Sequence, residues 1–358
     1  MRPVAILGAA QTRHVARRDD ANYAELAFEV VEALLANTGI SHDRIDTVVT
    51  ASSDFWDGRT ISDMAVQDAV GAAGKSASKV SMDGVFALAY AAARVNSGAY
   101  KTCLVVAHGK TSEGDPRRIS TAAFDPIFER PLGLDDHAAL GLEASFHVDP
   151  RRGACAISEQ QLAVAAADAW TRAARNPNAH RQETRTVDQI LDSPLVADPL
   201  REDMLAPDSD GACAVLLADE GTGRRLGASV WLEGFACATH AHPIGGFGMG
   251  SAPRLSNLAE EACGQAGLEG AHEIEVAEVH DASSVQTMYL HDGLDLRADV
   301  LFNPSGGAMG AQPGFATGLV RVTEVYERLA RGEGRVGLAH GQTGFVGKAH
   351  GVWILRRR

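Results

Sequence analysis

The chain reads as an α/β protein made of two similar halves, and three observations predict it. Short apolar or β-branched runs alternate with stretches of helical spacing, the pattern of a parallel sheet with crossover helices. The alternation breaks once, from about residue 113 to 207, and then resumes. The 358 residues suit two domains or one large duplicated body, at roughly 150 residues per domain.

Val4–Leu7 is a short buried strand leaving through Gly8-Ala9-Ala10. Tyr23–Thr38 spaces Ala24, Ala27, Phe28, Val31, Leu34 and Leu35 as a helix, closed by Gly39. Ile45–Ala51 is a strand, Ile61–Ala73 a helix, Ser81–Ser97 an Ala-rich helix and Cys103–Ala107 a strand. The Pro-containing stretch from Glu113 to Pro207 is a loop-and-helix insertion, with a helix at Glu159–Arg175 stopped by Asn176-Pro177. Gly211–Leu217 resumes as a strand. The second half repeats the rhythm: strands at Val230–Ala238, Glu275–Val279, Arg335–Ala339 and Gly351–Leu355. Its helices are Arg254–Gly264, Ala282–His291 and Thr317–Leu329. The halves are residues 1–222, carrying the insertion, and 223–358.

Composition removes several classes of function. With 33 Lys+Arg against 46 Asp+Glu the net charge is −13, which argues against nucleic acid as a partner. No apolar window reaches the ~18 residues of a membrane span, and the short run after Met1 is a strand rather than a secretion signal. Five scattered cysteines without a Cys-x-x-Cys suit a reducing cytoplasm and supply neither a disulfide framework nor a zinc site. No histidine pair has metal-ligand spacing, so no metal is expected.

Three segments place unusual residues at strand ends, where open α/β sheets bind ligands: His280-Asp281-Ala282-Ser283, Asn303-Pro304-Ser305-Gly306-Gly307, and His340-Gly341-Gln342-Thr343-Gly344. The second runs on to Gln312-Pro313 and Ala316-Thr317-Gly318. In this order they resemble blocks of the thiolase superfamily, and Ser158–Asn176 before Pro177 is similar to the Asn-Pro helix of its sterol-carrier-type, acetyl-CoA acetyltransferase-like members. Asp192-Ser193-Pro194 and Asp210-Gly211-Ala212 match further stretches. The resemblance implies two duplicated βαβαβαββ halves in a five-layered α/β/α/β/α sandwich. It also implies an acyl-coenzyme A substrate, and a homodimer or hetero-oligomer.

The resemblance departs from the family at its chemistry. Ser81, in Ser81-Met82-Asp83-Gly84, stands at the nucleophilic cysteine position, and Gln312 at that of a histidine. The second cysteine position falls near Gly341. A serine hydroxyl needs a positioned base where a thiol of pKa ~8.5 does not, and an amide moves no proton. His280 keeps a family residue type, as oxyanion donor or proton relay; His340 is expected either to supply a replacement base or to pack at the strand end. Asp83, Gly84, Ser305, Gly306, Gly307 and His108 are the substrate contacts, while Asp281 caps the following helix. His240, His242 and Pro243 sit in a Gly-rich loop near the expected coenzyme A entrance.

Two functions remain open. One is an enzyme of lipid metabolism, a lyase or acyltransferase that makes or breaks a carbon–carbon bond of an acyl-coenzyme A without a cysteinyl intermediate, like the aldolase-type members that cleave β-hydroxyacyl thioesters. Those members use tyrosines, for which Tyr289 and Tyr326 are the nearby candidates. The other is an accessory subunit of an active paralogue. No covalent cofactor is expected, with coenzyme A entering as part of the substrate. A small zinc-ribbon and OB-fold partner is expected to complete the site, any zinc belonging to that partner.

Overall fold

A computed structural model describes residues 2–149, 157–240 and 255–358. The first half runs β1 (Val4–Gln11), α1 (Tyr23–Thr38), β2 (Thr47–Ala51), α2 (Met64–Ala69), β3 (Ser76–Val80), α3 (Gly84–Asn96) and β4 (Thr102–Lys110). The insertion then supplies α4 (Pro116–Ala123), α5 (Asp136–Val148), α6 (Glu159–Ala173), α7 (Val187–Leu191) and a small hairpin, β5 (Leu195–Ala197) with β6 (Leu200–Arg201). Strand β7 (Asp210–Ala218) and helix α8 (Glu220–Arg225) follow. The second half runs β8 (Val230–Thr239), α9 (Leu255–Gln265), β9 (Val276–Glu278), α10 (Ser284–Gly293), β10 (Leu301–Phe302), α11 (Gly307–Gly310), α12 (Thr317–Arg331), β11 (Val336–Thr343) and β12 (Ala349–Arg357).

The ten long-sheet strands lie in the order β10-β9-β11-β12-β8-β1-β7-β4-β2-β3. From the central β1–β8 pair outward, each half reads first, fifth, fourth, second, third strand. The directions match as well: the fifth strand is antiparallel to its neighbours and the outer three are mutually parallel. The chain is thus a duplicated α/β body.

Alternation along each strand builds the layers. On β4, Leu104 and Val106 face the core formed with α1, whereas Cys103, Val105 and Ala107 face α3. Helices α3 and α12 share one core with strands of both halves, and α9 and α10 cover the far side of the second half. The result is five layers, with α3 and α12 in the middle. A helix covered on both sides must be small and apolar, and α3 meets this with Gly84, Ala87, Ala91 and Ala92. A Cβ on Gly84 would lie 2.7 Å from the Leu319 Cβ, so glycine here lets α3 approach α12, and Gly84 lines no part of the cavity described below.

Local signals set the helix ends. Asn22 and Glu25 form a capping box on α1, and Gly39 ends it at φ 67°. Three elements differ from expectation. The helix expected over Ile61–Ala73 is only Met64–Ala69. The Ala-rich helix begins at Gly84, leaving Ser81 in the bend after β3, a strand without an apolar run that occupies the sheet edge. Strand β11 continues four residues past Ala339, drawing His340 into the sheet.

Candidate functional site

A cavity of about 210 Å³ opens at the ends of the parallel strands. Each part of the fold contributes side chains to it: Asp83 from α3, His280 from the end of β9, Gln312 from the turn before α12, Gln342 from β11, and Asp136 and His137 from α5. Asp208 joins them because residues 205–209 are zipped to two neighbours. Ala206 N–H donates to the Ala282 carbonyl (3.0 Å) and Ser209 N–H to the Gln312 carbonyl (3.2 Å).

Asp83 is the structural centre of the site. It is 2% exposed, and its Oδ1 caps α3 by accepting from Val85 N–H at 2.9 Å. Its Oδ2 accepts from Gly318 N–H at 2.9 Å, so one carboxylate serves the N-termini of both central helices. The same Oδ2 lies 3.6 Å from His280 Nδ1, too long for a hydrogen bond but within ion-pair reach. His280 Nδ1 and the Gln312 amide oxygen are buried without hydrogen-bond partners among the described residues. Gln342 fixes the backbone beside them, donating to the His280 carbonyl (2.8 Å) and the Gln286 amide oxygen (2.7 Å).

Two cavity carboxyls titrate unusually high. Burial, then the charges of Asp208 and Asp135, push Asp136 up to about 7. Asp208 is raised, chiefly by burial. His137 between them in sequence is lowered by burial.

Of the residues singled out from sequence, Asp83, His280 and Gln312 meet at this cavity, and the others go elsewhere. Ser81 is exposed and lines no part of it. Ser305 is buried against Glu278, which accepts from its hydroxyl at 2.6 Å, and Arg321 pairs with the same Glu278 at 2.8 Å. Gly306 (φ 97°) and Gly307 (φ 65°) turn the chain beneath α6, where a Cβ on Gly306 would lie 2.6 Å from the Ala173 Cβ. The Asn303–Gly307 block is therefore a buttress. Asp281 does not cap α10, a role taken by Ser283; its carboxylate accepts from Ala308 N–H (2.8 Å) at α11 and from Thr287.

His340 has both ring nitrogens engaged. Nδ1 accepts from the His280 backbone N–H at 3.4 Å, which leaves Nε2 to donate to His350 Nδ1 at 2.9 Å. Its burial holds it well below the usual imidazole range, and its ring holds the His280 backbone from behind. His108 lines a separate cavity with Tyr23. Tyr289 donates to Glu143 at 3.0 Å, and neither it nor Tyr326 lines the site. His242 and Pro243 lie outside the described residues. Sequence reasoning missed Asp136, His137 and Asp208, and it flagged the segment holding Gln342 without giving that residue a role. The Asp135-Asp136-His137 run at the start of α5, inside the loop-and-helix insertion, is the available signal. Among the described residues no cluster of His, Cys, Asp and Glu could hold a metal ion, and no helix is long and apolar enough to cross a membrane.

No family model matches the chain. It is 26% identical to an acetyl-CoA acetyltransferase of Methanothermobacter thermautotrophicus, covering 98% of this chain and 99% of the relative. Among solved structures it is similar to an Ltp2-ChsH2(DUF35) aldolase, with a TM-score of 0.80 at 19% identity, over 99% of this chain and 97% of the other. Over nearly its whole length the chain thus resembles a thiolase-superfamily acetyltransferase in sequence and a thiolase-like aldolase in fold.

Proposed function

We propose that the chain acts on an acyl-coenzyme A by aldol-type cleavage or formation of a carbon–carbon bond, with no covalent acyl-enzyme. The observation that carries this reading is Asp83, set at the paired helix N-termini 3.6 Å from His280. A carboxylate there accepts from two backbone N–H groups that would otherwise be free to hold a developing oxyanion. The enolate oxygen then falls to side-chain donors that line the cavity, the His280 ring and the Gln312 amide NH2.

In the cleavage direction a base takes the β-hydroxyl proton and the Cα–Cβ bond breaks. Its electron pair moves onto the thioester oxygen, and an aldehyde or ketone leaves. The enolate regains a proton at Cα. Asp136 suits the base, because a carboxyl titrating at about 7 is half-ionised at neutral pH and well matched to a hydroxyl proton.

A protein partner belongs to the same proposal. The aldolase of similar fold is named as a pairing of Ltp2 with ChsH2(DUF35). In the insertion here, Ile127, Phe128 and Leu132 are 71–77% exposed, an apolar ridge next to the helices that line the site. Such a partner would carry any zinc.

The test is release of aldehyde or ketone from a β-hydroxyacyl-coenzyme A, by the chain alone and with its partner. Asp136→Asn is expected to lower kcat by about 10²–10⁴ and to abolish a rate that otherwise rises with pH through about 7. His280→Ala should cost a similar factor. Absence of turnover with the partner present, together with retained acyl-coenzyme A binding, would instead support an accessory subunit of an active paralogue.

A further inference from the structure

A second cavity, of about 320 Å³, lies against the opposite face of the first-half sheet. His108 continues the row of Leu104 and Val106 that faces α1, so its ring points away from the layer holding Asp83. Tyr23, Ile119, Phe315 and Trp56 give this cavity apolar walls. Trp56, Pro116, Gly314 and Phe315 line both cavities, so the two meet around the ends of the strands.

Its polar side chains are Asp57, Arg59, His108, Lys110, Thr111 and Glu113, and among these His108 stands apart. His108 is 1% exposed and neither ring nitrogen has a hydrogen-bond partner among the described residues. The charged groups around it already have partners: Arg59 pairs with Glu113 at 2.7 Å and lies over the Tyr23 ring, Lys110 pairs with Asp210 at 2.5 Å, and Asp57 accepts from the Ser53 N–H at 3.1 Å. The corresponding histidine of the second half, His340, sits on the equivalent strand with both nitrogens satisfied. An idle histidine is therefore not forced by the position. Burial lowers His108 to about 4, so at neutral pH the ring offers one donor and one acceptor but no charge.

We propose that this cavity is a subsite for the distal part of the acyl group, and that His108 recognises an uncharged hydroxyl or carbonyl oxygen carried there. The inference rests on the acyl-coenzyme A reading above. A neutral imidazole offers an alcohol or ketone one donor and one acceptor, whereas a carboxylate would have to draw Arg59 or Lys110 away from the pairs they already make. The volume admits a chain or ring of several carbons, at the lower end of the ~300–1,000 Å³ common for small-molecule sites.

The experiment measures Kd for two non-cleavable thioethers, octyl-coenzyme A and ω-hydroxyoctyl-coenzyme A, with the wild type, His108→Leu and His108→Gln. The wild type is expected to favour the hydroxylated ligand about tenfold, although a hydroxyl ordinarily resists an apolar pocket. His108→Leu should reverse that preference, and His108→Gln, which keeps a donor and an acceptor, should retain part of it. Thermal melts confirm that each variant is folded. A wild-type preference for the octyl ligand, or a preference unchanged in His108→Leu, overturns the subsite alone. Failure of both ligands to bind any of the three proteins overturns the acyl-coenzyme A reading, and the subsite with it.

Discussion

The two halves end their fourth strands on the same pattern, Ala107-His108-Gly109-Lys110-Thr111 and Ala339-His340-Gly341-Gln342-Thr343, and use it oppositely. Each histidine faces its own half's outer helices. The difference lies in the neighbouring strand. Gln342 stands opposite His350 on β12, and His350 gives His340 its partner. Lys110 stands opposite Asp210 on β7, and Asp210 is taken up by Lys110, the Ser112 hydroxyl (2.6 Å) and the Arg18 backbone N–H (2.9 Å). One duplicated sequence has become a buttress in one half and an open recognition group in the other. Residue type at a duplicated position therefore does not decide role; the cross-strand neighbour does.

The sharpest way to break this comparison is to remove the buttress. His340→Ala would leave the His280 backbone N–H and His350 Nδ1 unpaired in the interior and open a void. The expected loss is about 3 kcal/mol of stability by urea unfolding. Because the His280 backbone is held from this side, kcat should fall as well. A variant that keeps both stability and activity would show that His340 is as idle as His108.

The same contrast explains what the sequence could and could not reveal. Alternation of short β-branched runs with helical spacing made the fold legible, since the five layers demand that pattern. Edge strand β3 was not, because Ser76-Ala77-Ser78-Lys79-Val80 buries too little to need an apolar run. At the site, Asp83, His280 and Gln312 stood at readable helix and strand ends. The Asn303–Gly307 block carried the same glycine-rich signal for another reason: it turns the chain beneath α6 and anchors the buried Arg321–Glu278 pair. Asp136 and Asp208 were hidden because an aspartate in a Pro-containing insertion looks solvated until the fold buries it.

Acid sharpens the comparison next. Burial lowers His108 to about 4 and His14 and His350 to about 3, with His340 also well below its usual value. A group whose folded pKa is depressed contributes stability that is present above its unfolded value, near 6.5, and lost as pH falls toward the folded one. Each such histidine steepens the acid slope by about 1.4 kcal/mol per pH unit across that window. His108→Gln should remove one such increment between about pH 6.5 and 4 and nothing above it. Chemical denaturation at several pH values reads this directly, and an unchanged slope would mean that His108 is protonated in the folded chain.

The smallest expected effect separates the two histidines most cleanly. Leucine resembles histidine in volume and leaves no polar atom unmet. At His108 it replaces two unpartnered ring nitrogens in an apolar cavity, so the folded state loses a desolvation cost without losing a hydrogen bond. His108→Leu should raise stability by about 1 kcal/mol at pH 7, whereas the same change at His340 should lower it. Stabilisation bought by deleting a buried side chain is the mark of a group kept for binding rather than folding. If His108→Leu destabilises the chain by a similar amount, the ring is part of the packing after all, and the two halves are more alike than their hydrogen bonds indicate.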